Sequence, residues 1–212
     1  MKDKAVLLNN QAILFDFDGV IVESVDIKTK AFASLFKQYG EEVVKKVIDY
    51  HLKNGGVSRY EKFRHYLEKI IFEPVTENRI VELGEKFSEK VVERVVSAPY
   101  VKGIKKILEE LYLKIPLFIV SGTPQDELQK IVEQRGIGKY FKECLGSPVK
   151  KGPHIKQILN SYGYDQNRIL FIGDTMTDYK GAGEAGVNFI GRVPEGAENP
   201  FPDHIQIFTD FH

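Results

Sequence analysis

Four short apolar runs, Ala12–Phe15, Leu117–Val120, Ile169–Ile172 and Val187–Ile190, are continuous rather than alternating. A run without polar alternation suits a strand covered on both faces, as in a parallel sheet packed between helices. Helical patterns lie between the last three runs: Lys105–Leu113 precedes the second, Asp126–Arg135 follows it, Ile155–Tyr162 precedes the third and Tyr179–Ala185 follows that. Gly136 and Gly186 stand just past two of these helices, where a left-handed C-terminal residue favours glycine. Strands alternating with helices predict an α/β fold built on a doubly wound parallel sheet.

The span 24–97 has another texture. Its apolar residues recur at helical spacing, as at Phe32, Leu35, Phe36 and Tyr39, or at Val81, Phe87, Val91, Val92 and Val95. Breaks fall at Gly40, at Asn54-Gly55-Gly56 and at Glu73-Pro74, and no strand-like run occurs. The expected division is an α/β core of residues 1–23 and 98–212, interrupted after its first strand by an all-helical unit of residues 24–97. Pro99 marks the return.

Composition narrows the function. At 212 residues the chain is long enough for one α/β domain and a small extra unit. Thirty Lys+Arg balance thirty Asp+Glu, and no Trp is present, so neither nucleic acid nor an anionic membrane is an expected partner. The one cysteine, Cys144, reads as a packing residue and fits a reducing, cytoplasmic setting. The N-terminal apolar run is too short for a signal peptide, and no run approaches the length of a membrane span.

Three strand-like runs end in small polar or acidic residues: Asp16-Phe17-Asp18-Gly19, Ser121-Gly122-Thr123-Pro124, and Gly173-Asp174 with Asp178 four residues on. Ligands of open α/β sheets bind beyond the carboxyl ends of the strands, so the three clusters are expected to converge. Asp16 and Asp18 point the same way on an extended segment, and paired carboxylates need a cation or a shared proton. A plain turn explains the same letters, but a helix–loop–helix calcium loop does not, because it needs an oxygen ligand at Val20 and a glycine at Ile21. Asp174 or Thr175 could cap the helix through Ala185, or Asp174 and Asp178 could share a metal. Ser121 or Thr123 could likewise cap the next helix, or form a phosphate cradle with it. Gly181 to Gly186 spell a dinucleotide fingerprint, but too late in the helix to act as one.

Together these motifs resemble the haloacid dehalogenase superfamily from about Gln11 to Arg192: DFDG with VIVES, then SGTP, a lysine of Lys150-Lys151, and GDTMTD, with PYVKG on re-entry. The resemblance implies a Rossmann-like core with a helical cap, and phosphatase chemistry through an aspartyl-phosphate. It makes Asp16 the nucleophile and Asp18 the general acid and base. It implies Mg2+ held by Asp16, the Asp18 carbonyl and Asp174, supported by Asp178. Ser121, Gly122 and Thr123 would hold the phosphoryl group and a lysine would neutralise it, Lys151 fitting one register and Lys150 another. Lys28 occupies the place where many relatives have His, although a surface lysine explains it too. Gly56-Val57-Ser58-Arg59 resembles the specificity loop of β-phosphoglucomutases, with Arg59 expected to face an anionic part of the substrate. The expected partner is a small phosphorylated metabolite, with a phosphomutase or a catalytically silent binding domain as the alternatives. None of the five histidines stands at ligand spacing from another, and none is assigned a role.

Overall fold

The computed structural model describes residues 7–211; residues 1–6, on which the expectation about a signal peptide partly rests, lie outside the described residues. Six strands form one parallel sheet in the order β3-β2-β1-β4-β5-β6. They are β1 (Ala12–Phe15), β2 (Leu117–Pro124), β3 (Glu143–Ser147), β4 (Ile169–Gly173), β5 (Asn188–Arg192) and β6 (Ile207–Phe208). Among the described residues are eight α-helices: α1 (Val25–Phe36), α2 (Glu41–Lys53), α3 (Arg59–His65), α4 (Glu77–Ser97), α5 (Ile104–Leu111), α6 (Gln125–Gln134), α7 (Lys151–Tyr162) and α8 (Met176–Ala185).

The continuous apolar runs are buried because the sheet is covered on both sides. Alternate residues of β1 diverge: Ile13 and Phe15 join one apolar cluster with α5 and α6, while Ala12 and Leu14 join another with α7 and α8. β1 lies between β2 and β4. Later strands therefore add on either side of β1, β2 and β3 on one and β4 to β6 on the other, and a crevice opens beyond the strand ends there.

Helices α1 to α4 fill the span 24–97, which contains no strand. The breaks fall at the expected punctuation: α2 begins after Gly40 and ends before Asn54. Thr76, just past Pro74, caps α4 by accepting from the Arg79 N–H at 3.3 Å. The chain enters and leaves this span side by side, with the Glu23 N–H donating to Pro99 O and the Val101 N–H to Ile21 O. Phe32, Phe36, Phe63, Tyr66 and Phe87 bury their rings together at its centre.

The structure adds two strands to the four read from the sequence. β3 is a half-buried segment spelled ECLGS, and β6 is only two residues long. Neither offers an apolar run. The letters of the dinucleotide fingerprint lie within α8 and at its left-handed terminus, Gly186.

Candidate active site

β1 delivers Asp16 to the crevice, its N–H donating to Ile172 O on β4 at 2.8 Å. The chain then curls back as the Gly19 N–H donates to Val22 O at 2.8 Å. Gly19 takes a φ of +77°, and a Cβ there would lie 2.1 Å from Asp174 Oδ2. Glycine is thus required twice over, by conformation and by closeness. Val20 and Ile21, which a calcium loop would need as a ligand and a glycine, are fully buried in the core.

Carboxylate oxygens of Asp16, Asp174 and Asp178 lie within 4.8 Å of one another. Lys151, the first residue of α7, reaches into this cluster. Its Nζ stands 3.0 Å from Asp16 Oδ1 and donates to Asp178 Oδ1. Burial works against the charge on Lys151, but the carboxylates of Asp16 and Asp178 outweigh it and raise its pKa. Lys150, the alternative lysine, has its side chain at the surface, 3.9 Å from Glu61. Of the pair, Lys151 meets the carboxylates.

One lysine does not balance three acids. Burial, then the charges of Asp178 and Asp18, raise Asp16 to about 7 despite Lys151. Burial and the charges of Asp16 and Asp178 push Asp174 well above the carboxylate range. Asp174 Oδ1 is buried without a hydrogen bond from any described residue, and Asp16 Oδ1 has the Lys151 ammonium beside it at 3.0 Å. Asp178 differs, because its Oδ2 accepts from the Thr175 N–H at 3.0 Å and from Thr175 Oγ1 at 2.6 Å. The capping role open to Asp174 or Thr175 therefore falls to Thr175 with Asp178. A hard divalent cation fits what remains, since it would take up the unpartnered Asp174 oxygen, share Asp16 with Lys151 and reverse both upward shifts.

Asp18 belongs to a second network. It accepts from Ser24 Oγ, from Lys28 Nζ and from Thr123 Oγ1, and Lys28 Nζ also donates to Thr123 Oγ1 at 2.9 Å. Burial alone would raise its pKa; the Lys28 ammonium and these three donors outweigh that and hold it below the usual range. Lys28 is thus no surface lysine: its side chain is 15% exposed and paired.

The Ser121–Thr123 segment departs from expectation. Strand β2 continues through Pro124 and α6 starts at Gln125, so neither hydroxyl caps the helix. Ser121 Oγ instead accepts from the Thr123 N–H at 3.1 Å, inside the turn of chain. At Gly122 a Cβ would meet Gly56 O at 2.3 Å. The Gly55–Gly56 loop therefore lies directly on the site, and Thr177 Oγ1 holds it by donating to Gly55 O at 2.6 Å.

Arg59, expected to face the substrate, is already engaged. Its guanidinium donates to Glu127 on α6 and to Ser88 Oγ on α4, and lies 4.7 Å from the Phe87 ring centroid. It lines the cavity beside the Asp16 and Asp18 side chains with its charge neutralised. That cavity holds about 720 Å3 and is also lined by His51, Lys62 and Thr175. Sequence reading missed Ser24, His51, Lys62, Glu127 and Thr177. Ser24 lies in the VIVES stretch and Thr177 in GDTMTD; His51, Lys62 and Glu127 stand in no motif and are brought in by the packing of separate helices.

A haloacid dehalogenase-like hydrolase family model matches residues 13–192, and the chain belongs to that family of enzymes. It is 26% identical over 215 aligned positions to a phosphoglycolate phosphatase of Haemophilus influenzae, the match covering 92% of this chain and 95% of the relative. It is 24% identical to a phosphorylated carbohydrates phosphatase of Thermotoga maritima, across 85% of this chain and 83% of that one. Among solved structures it superposes with a TM-score of 0.68 on YfnB of Bacillus subtilis, solved bound to magnesium, at 18% identity and 95% coverage of both chains. No helix of the described residues is long and apolar enough to cross a membrane.

Proposed function

We propose that this chain is a magnesium-dependent phosphatase that hydrolyses a small phosphorylated metabolite through an aspartyl-phosphate on Asp16. The supporting observation is the arrangement of the two buried aspartates. Asp16 sits among Lys151, Asp174 and Asp178, while Asp18 is held apart by Lys28, Ser24 and Thr123. Environments that push two carboxylates in opposite directions suit two different roles in one reaction.

The steps follow from these side chains. An Asp16 carboxylate oxygen attacks phosphorus as the ester oxygen leaves, and Asp18 supplies the proton the leaving oxygen needs. Free Asp18 is ionised by its donors; a phosphoryl dianion arriving beside Lys28 and Thr123 competes for those donors and restores its affinity for a proton. Water then attacks the aspartyl-phosphate, and Asp18 takes that water's proton. Lys151, the Ser121 hydroxyl and the Gly122 N–H hold the charge on the transferred group. Asp16, Asp174 and the Asp18 carbonyl would hold Mg2+, with Asp178 fixed behind them by Lys151 and Thr175. When bound, the ion neutralises charge that develops on the phosphoryl oxygens. Residues 24–97 form the cap over this site in a cytoplasmic enzyme, screening the bound ester from bulk solvent.

Hydrolysis is preferred to isomerisation because the relatives this chain resembles along most of its length are named as phosphatases. Phosphate release from a panel of phosphorylated acids and sugars, with and without Mg2+, tests the reading. Metal-dependent release from at least one is expected. An isomerised product with little free phosphate, or no turnover of any ester, overturns it.

A further inference from the structure

The cavity wall carries a buried cation that the reaction above does not use. Lys62 on α3 is 3% exposed. Its Nζ donates to Nδ1 of His51 on α2 at 2.9 Å and approaches the His51 carbonyl at 3.4 Å, with the Phe32 ring 5.7 Å away. Among the described residues every other buried Lys or Arg has a carboxylate: Arg59 has Glu127, Lys151 has Asp16 and Asp178, and Arg192 has Glu23. Among the described residues no carboxylate meets Lys62. A buried ammonium without a counter-charge is costly, and protein chains seldom carry one in a wall that needs only to be apolar.

His51 makes a second, independent observation. When Lys62 carries its proton the ammonium can only donate, so Nδ1 then accepts and the proton of the neutral ring stands on Nε2. Burial, then the charge of Lys62, lower the ring's pKa to about 3, so the ring stays neutral. Nε2 is buried and has no partner among the described residues. An unpaired ammonium and an unspent N–H donor therefore line the cavity that Asp16 and Asp18 also line. The charges of Lys28 and Asp18 bear on both residues, which places them close to the reacting end. Val25, Phe32 and Phe87 line the same cavity with apolar walls that suit a short carbon link.

We infer that Lys62, positioned by His51, receives a second anionic group of the substrate, so that this phosphatase selects small phosphate monoesters bearing a carboxylate or another phosphate at their far end. The inference rests on the phosphatase reading and narrows it. Lys62 takes the part that the sequence assigned to Arg59.

Three esters on one two-carbon scaffold test it in the Mg2+-loaded full chain: 2-phosphoglycolate, ethylene glycol bisphosphate and uncharged-ended 2-hydroxyethyl phosphate. The wild type is expected to favour at least one of the two esters with a charged far end by about tenfold or more in kcat/KM, the worth of one charge-assisted contact. Which ester is favoured tells carboxylate from phosphate. In Lys62→Met that ratio falls toward one, whereas Lys62→Arg retains part of it. His51→Leu raises KM for the favoured ester more than it lowers kcat. Calorimetry gives a readout apart from turnover: 3-phosphonopropionate should bind about tenfold tighter than propylphosphonate to the wild type and lose that advantage in Lys62→Met. Hydrolysis of all three esters at similar kcat/KM overturns the Lys62 assignment and leaves the phosphatase reading standing. An undiminished ratio in Lys62→Met does the same. Failure on all three with release from another phosphate ester overturns the Lys62 assignment alone, and failure on every ester of the wider panel overturns both.

Discussion

Lys151 Nζ lies 3.0 Å from Asp16 Oδ1 and also donates to Asp178, which makes it the one ammonium within a cluster of three carboxylates. Removing it leaves that cluster uncompensated. Lys151→Met should therefore lower Tm in chelator by several degrees, on the order of a few kcal/mol, because an unpaired buried charge is left behind. Added Mg2+ should recover more Tm in the variant than in the wild type. Equal recovery in both would mean that Lys151 and the metal do not share the same carboxylates.

Arg59 and Glu127 tie the helical span to α6, with side chains 4% and 8% exposed. Breaking a buried pair from one side costs more than removing both members. Glu127→Gln alone should destabilise by about 3 kcal/mol, and Arg59→Met with Glu127→Leu by much less. Thermal or denaturant unfolding of the single and double variants checks this. A double variant as unstable as the sum of its parts would contradict the pairing.

Lys62 should leave a mark on stability as well as on specificity. Burial, then the charge of Lys28, lower its pKa to about 7, below the ordinary 10.5. Between those values the unfolded chain binds the extra proton, so this group makes wild-type stability rise with pH from about 7 to about 10. Lys62→Met removes the term. The variant should exceed the wild type in Tm at pH 7, and the gap should narrow as pH rises. A gap independent of pH would refute the buried, depressed lysine.

Much of the architecture was legible because it rests on local patterns. Continuous runs at Ala12–Phe15 and Ile169–Ile172 read as buried strands because they are covered on both faces. β3 escaped because an edge strand is half exposed and ECLGS carries no run to find. Within the site, residues that end strands were visible as motifs: Asp16, Asp18 and Asp174. Arg59 and Lys28 show what motifs omit. Their placement depends on Glu127 and on Asp18, partners set by how helices pack, so a cation read as facing substrate is neutralised and one open to a surface reading is half-buried against Asp18. His51 and Lys62 gave no signal because their meeting depends on how α2 and α3 lie together.

Gly122 is a packing requirement inside the site. A Cβ there would stand 2.3 Å from Gly56 O, a backbone atom that cannot swing aside. Gly122→Ala should push the Gly55–Gly56 loop off the site and lower kcat/KM by about tenfold or more while Tm falls little. Unchanged kinetics would show that the loop's closeness has no part in turnover.

Asp16 carries the central claim. Wild-type protein quenched in acid during turnover should yield a peptide containing Asp16 heavier by one phosphoryl group, lost on treatment with hydroxylamine. Asp16→Asn should show no adduct and retain well under about a thousandth of wild-type kcat while keeping its fold. A well-folded Asp16→Asn protein that keeps about a tenth of the activity, or a phosphoryl group found on another residue, would contradict the account.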